Sequence, residues 1–145
     1  MTQCMATIKF EGIEEYSDLL KKFSNSAERI IKPAVYDGAA VVVKEAKKQL
    51  NRVVSDNSTG DLSDSMGLSA MRSDNGFVHT KIGFDGYDRN GHPNIVKARA
   101  LESGTSKQQK TPFLRPAVKA SQDEAVEVMR QTVDRTIKAI LKEEG

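Results

Sequence analysis

Two prolines four residues apart, Pro112 and Pro116, constrain this chain more than any other feature, because they hold Phe113, Leu114 and Arg115 between them. Proline fixes φ and has no N–H, so neither an ordinary helix interior nor a central strand runs through that stretch. Pro116 is well placed in the first turn of a helix, where its missing N–H costs nothing. The stretch therefore predicts two large apolar side chains, Phe113 and Leu114, pinned at the entrance to a final helix. Upstream, Gly104 suits the end of the preceding element, since glycine enters positive φ freely. Ser106, Lys107, Gln108, Gln109 and Lys110 are small or long and polar, with no apolar residue to dock them, and read as an exposed loop.

Periodicity supplies the elements around this clamp. Residues 6–10 alternate Ile8 and Phe10 with Thr7 and Lys9, a short half-buried strand ended by Gly12. Ile13, Tyr16, Leu19, Leu20 and Phe23 recur at spacings of three and four, one face of an amphipathic helix over 13–23. Asn25 with Glu28 forms a capping-box pattern for a second helix. That helix carries Ile30, Ile31, Ala34, Val35, Gly38, Val41, Val42, Ala46 and Leu50 on one stripe. Pro33 falls inside it, so the helix either kinks there or restarts with Pro33 at its first position. Small residues Ala34, Gly38, Ala39 and Ala40 permit close approach of another helix, within the monomer in preference to a neighbouring subunit.

Beyond a polar stretch, Asp61 or Thr59 is a candidate cap for a single helical turn through Met66. Residues 67–73 and 76–84 read as strands joined at Asn75-Gly76, a strong hairpin signal. In the second strand Val78, Thr80, Ile82 and Phe84 form the better buried face. Residues 85–93 read as a loop, and 94–102 as a short helix or strand that the pattern does not decide. Ala117, Ala120, Ala125, Val126, Met129, Val133, Ile137, Ile140 and Leu141 mark a long terminal helix, with a break near 119–121 left open by the capping pattern of Ser121 and Glu124. The expected fold is one α+β domain over 1–145: a small antiparallel sheet flanked by an N-terminal helical pair and a long C-terminal helix.

A chain of 145 residues suits one domain that buries roughly two thirds of its unfolded surface. With no Trp and 6% aromatics, its core must be aliphatic and lean, a hint of a subunit that completes its burial in an assembly. Its 22 basic and 20 acidic residues are too balanced to argue for a nucleic-acid protein. The lone Cys4 excludes an intramolecular disulfide and suits a reducing compartment. No signal peptide is evident, and the longest aliphatic run, 39–43, is far short of the roughly 20 residues a membrane span needs.

Sites for chemistry are sparse. His79, His92 and Cys4 match no zinc spacing. Residues 85–91 are acidic but lack the alternation of a calcium loop. Ser65 lacks the glycines of a nucleophile elbow, and a cap or turn role suits Ser58, Thr59, Ser63 and Ser65 better. Gly104-Thr105-Ser106-Lys107 does not complete a phosphate-binding loop. No enzyme, cofactor, metal or small-molecule substrate is read here.

Three sets of residues, in order, resemble a known family: Thr59-Gly60-x-Leu62-x-x-Ser65-Met66, Glu102-Ser103-Gly104-Thr105, and Pro112-Phe113-Leu114-Arg115-Pro116-Ala117. Together they are similar to the tail-component family of long-tailed bacteriophages, also described as head–tail joining or tail-completion proteins. The likeness covers nearly the whole chain, with Ser103 standing where relatives carry a large apolar residue. It implies a third strand or a helix before Glu102 and a virion structural protein at the head–tail junction or tail. Such a protein is made in the bacterial host cytoplasm and joins other neck or tail proteins, as a homo-oligomeric ring through which DNA passes.

On this resemblance Glu102, Gly104, Thr105, Lys107, Lys110, Phe113 and Arg115 form the expected interaction segment, with the Arg115 guanidinium either bonded to the Glu102 carboxylate or facing solvent. Thr59, Gly60, Leu62, Ser65, Pro112 and Pro116 take structural roles, Leu62 as a plug over the sheet edge. The alternative is a small DNA-associated protein using Lys107, Lys110, Arg115 and Lys119 as a phosphate track.

Overall fold

Apolar residues at alternate positions make the eight-residue strand Phe77–Phe84 the centre of the sheet, with Thr80, Ile82 and Phe84 fully buried and Phe77 exposed. The computed structural model describes residues 3–8, 27–54, 60–74 and 77–144. In chain order these form β1 (Gln3–Ile8), α1 (Ala27–Val53), α2 (Asp61–Asp64), β2 (Met66–Leu68), β3 (Arg72–Asp74), β4 (Phe77–Phe84), α3 (Asn94–Ser103) and α4 (Leu114–Glu144). The result is an α+β fold in which most of the antiparallel sheet lies between the two long helices in chain order. The expected helix over 13–23, the Asn25 cap and Thr59 lie outside the described residues.

β4 takes β1 on one side, with Gln3 opposite Phe84 and Ile8 opposite Thr80. The expected strand over 6–10 is present at 6–8 and begins earlier, at Gln3; Lys9 and Phe10 lie outside the described residues. β2 and β3 both pair antiparallel with β4, Leu68 opposite Ile82 and Arg72 opposite His79. The single strand expected over 67–73 is split, because four steps on its side match three on β4, one extra residue as in a β-bulge. Ser69 repairs the ladder there. Its Oγ accepts the Lys81 N–H at 2.9 Å, and its carbonyl accepts the buried Thr80 hydroxyl at 2.8 Å. Asp74 stands opposite Phe77 in the β3–β4 pair, and the expected Asn75-Gly76 turn between them lies outside the described residues.

One face of the sheet is covered by α1, and α4 packs antiparallel on α1: Arg29 meets Glu143 at 3.5 Å, and Asp37 accepts the Thr132 hydroxyl at 2.8 Å. The α1 stripe buries as patterned, through Ile30, Ala34, Val35, Val42, Ala46 and Leu50. It is one uninterrupted helix with Pro33 exposed inside it. Gly38 faces α4 so closely that a Cβ there would stand 2.5 Å from Met129 Cγ, which assigns the small residue to packing within the chain. On α4 the buried set is Leu114, Ala117, Ser121, Ala125, Met129, Thr132, Val133 and Ile140, whereas Ala120 and Leu141 face outward. No break occurs at 119–121, because the Ser121 hydroxyl donates back to the Ala117 carbonyl at 2.7 Å, an internal helix bond and not a cap.

The undecided segment 94–102 is the helix α3, whose Ile95 and Ala98 enter the core beside Leu62, Met66, Ile82, Phe84 and Phe113. Its position brings Glu102 to the start of α4.

Candidate functional site

The entrance to α4 begins at Phe113, which has no side-chain oxygen with which to cap the helix that follows. The first N–H groups of a helix need acceptors from elsewhere when the capping position cannot supply them. Glu102, at the end of α3, supplies them. Its Oε2 accepts the Phe113 and Leu114 N–H groups at 2.8 and 2.9 Å, and its Oε1 accepts the Arg115 N–H at 3.0 Å. A carboxylate at this end also opposes the positive end of the helix dipole.

This corrects the expected pairing of side chains. Glu102 does reach Arg115, but through the backbone, and both carboxylate oxygens are occupied there; the Arg115 side chain is exposed. The sequence does hold a signal for this arrangement: a helix start with Phe at the cap and Pro in its first turn lacks a local acceptor.

Above the anchor sits a short ordered loop. Gly104 closes α3 at φ 77 and ψ 172, its N–H donating to the Ala100 carbonyl at 2.9 Å. That backbone region belongs to glycine. Space is also short, since a Cβ would lie 3.0 Å from the Lys110 nitrogen and 3.2 Å from the Gln108 carbonyl oxygen. Thr105 donates its N–H to the Gln108 carbonyl at 2.9 Å, and its hydroxyl accepts the Lys107 N–H at 3.2 Å. The Thr111 N–H donates to the Leu101 carbonyl at 2.7 Å and pins the returning strand to the end of α3. Lys107 and Lys110 are exposed on this folded turn.

Below the loop, Phe113 is fully buried, its ring edge-on to Phe84 with centroids 6.1 Å apart. Pro112 precedes it and Pro116 occupies the first turn of α4, as the clamp requires. Between α3 and α4 lies an open groove of about 920 Å³, lined by Val96, Arg99, Leu114, Arg115, Val118 and Lys119 among others, with Gly104 and Thr105 at one end. Val96 and Val118 expose apolar surface there. Six of the expected interaction residues thus lie around one loop and groove. Phe113 belongs to the core beneath them.

The upstream motif is structural. Gly60 takes the capping position before α2 with φ 82 and its carbonyl accepts the Asp64 N–H, so Asp61 lies inside the turn and not at its cap. Leu62 is buried in the core under the sheet, and the Ser65 hydroxyl donates to the Leu62 carbonyl at 2.7 Å.

The acidic loop 85–93 is built around Asp88. Its Oδ1 accepts the Asn90 and His92 N–H groups, each at 2.9 Å, and its Oδ2 meets Lys97 Nζ of α3 at 2.8 Å. The Lys97 ammonium, and then the His92 N–H, pull the Asp88 carboxyl below its ordinary value, to about 2. This carboxylate serves the turn and its attachment to α3, an assignment the sequence pattern did not reveal.

Among the described residues no three His, Cys, Asp or Glu side chains come together as a metal-binding group, and no helix is long and apolar enough to cross a membrane. No protein-family model, curated protein or solved structure matches the chain.

Proposed function

We propose that this chain is a structural protein of a bacteriophage, placed at the head–tail junction or tail end, and that it acts by docking to neighbouring subunits and neck or tail proteins. One observation carries the proposal. The two sequence words Glu102-Ser103-Gly104-Thr105 and Pro112-Phe113-Leu114-Arg115-Pro116 are tied together by the Glu102 carboxylate, and between them an ordered, exposed turn presents Lys107 and Lys110. A preorganised turn loses little entropy on docking, which suits assembly by contact and not by chemistry.

Deleting the gene from its genome of origin should leave heads and tails unjoined or tails unfinished in electron micrographs of lysates. Lys107→Glu with Lys110→Glu should reproduce that defect in a folded protein. Intact, infectious particles from the deletion would overturn the proposal.

A second function has one supporting observation, that Arg99, Arg115 and Lys119 line the same groove. Purified protein that binds duplex DNA, with affinity falling steeply as salt rises, would favour a DNA-associated role instead.

A further inference from the structure

The outer surface of α4 carries a row of charge without an ion pair among the described residues, though Glu127 accepts a 3.4 Å hydrogen bond from the Gln131 amide. Arg115, Lys119, Asp123 and Glu127 recur at every fourth position and are all exposed, so they form one ridge about 18 Å long. Two cations are followed by two anions. Along the ridge Arg115 repels Lys119 and Asp123 repels Glu127, and the one opposite-charge neighbour pair, Lys119 and Asp123, stands in the less favourable order. Arg115 also lies in the first turn, where the helix dipole opposes a cation. Among the described residues none of the four forms an ion pair.

We propose that the free protein pairs with a second copy of itself through this face, the two α4 helices antiparallel about the level of Ser121. In that register Arg115 meets Glu127 of the second copy and Lys119 meets Asp123 of the second copy, and the two-fold axis repeats both pairs. Every like-charge neighbour then gains an opposite one. A parallel arrangement places cation on cation and anion on anion, so charge selects the antiparallel one.

The geometry suits helix packing. Rows of every fourth residue are the ridges that interlock when helices cross at about 50°, which brings the two charged rows alongside each other. Exposed Ala120 and Val118 flank the row and allow close approach with some apolar burial. Such a contact is isologous, each patch matching itself. Duplex DNA fits the same face poorly, because Asp123 and Glu127 would repel it. The contact does not depend on the tail-assembly role.

Sedimentation of the purified full chain over a range of concentrations and salt tests it. The expected result is a dimer whose dissociation constant rises about tenfold or more by 1 M salt, where the Debye length falls to about 3 Å. Arg115→Glu with Lys119→Glu makes the row wholly acidic, and Asp123→Lys with Glu127→Lys makes it wholly basic. Each variant alone should be monomeric, and a mixture should give a one-to-one complex. If either pair disturbs the helical circular dichroism, the single changes Lys119→Glu and Asp123→Lys carry the same test. A monomeric wild type at low salt, an oligomer that persists in both variants, or folded variants that fail to associate on mixing would each overturn the proposal.

Discussion

Glu102 and Phe113 are eleven residues apart, and the carboxylate of the first accepts the backbone N–H of the second at 2.8 Å, in place of the side-chain cap that Phe113 cannot provide. The contact makes the start of the longest helix depend on the end of α3. Glu102→Gln keeps the shape but replaces one acceptor by a donor facing the same N–H groups. The expected loss is about 2 kcal/mol, from the cap, the charge-assisted bonds and the helix dipole together. Urea denaturation measures it, and amide exchange at 113–115 should quicken more than exchange in β4. An unchanged midpoint would remove Glu102 from the role assigned to it.

Gly104→Ala tests the loop base. Its φ of 77 and ψ of 172 lie where side chains are strained by about 1–3 kcal/mol, and the new Cβ would also press on the Lys110 nitrogen. Thermal unfolding should come at lower temperature, and limited proteolysis should cut at 105–110 sooner than in the wild type. Equal cleavage rates would show the turn to be held by other means.

Gly38→Ala should destabilise although alanine is the better helix former. The propensity gain of about 1 kcal/mol is outweighed by overpacking against Met129, which costs about 1–3 kcal/mol in a filled core. With Met129→Ala already in place the severe overlap is gone, leaving the Ala125 carbonyl oxygen 3.3 Å from the new Cβ, and the same change at Gly38 should then raise the melting temperature. A change of one sign in both backgrounds would argue that the Gly38–Met129 approach is not what limits the site.

The acid limb of the stability curve should contain Asp88. Its carboxyl titrates lower in the folded chain, about 2, than at the ordinary 3.8 of an unfolded one. Its contribution is therefore complete above about pH 4 and lost as pH falls through about 2. Asp88→Asn should be less stable than the wild type at neutral pH, and the two curves should converge toward pH 2. A gap that stays constant across that window would assign the loss to packing and not to ionisation.

Much of this was legible in the sequence for physical reasons that act over short distances. Thr80, Ile82 and Phe84 alternate and share a buried face; Ile30, Ala34, Val42 and Leu50 follow a helix stripe and are buried along it. Phe113 and Leu114 are buried where the prolines leave them no other element to join. What was not legible depends on long-range partners or on a side chain replacing backbone. Opposite charges at Glu102 and Arg115 suggested an ion pair, whereas the carboxylate is used by three amides. Ser121 beside Glu124 had the spacing of a cap, but inside a long helix its hydroxyl bonds backwards to Ala117. The split in the strand at Ser69 depends on its Oγ standing in for a ladder acceptor, which alternation does not register.

The antiparallel contact between α1 and α4 has a consequence for how the chain finds its fold. Asp37 and Thr132 are 95 residues apart, and Arg29 and Glu143 are 114 apart. Two such helices cannot zip together as a local hairpin; the β3–β4 hairpin, α3 and its link to α4 lie between them in the chain, so pairing them closes a long loop. Despite its helical content, such pairings raise the contact order above that of a bundle of sequential helices, and its folding should be slower than the microseconds open to those bundles, on the order of milliseconds.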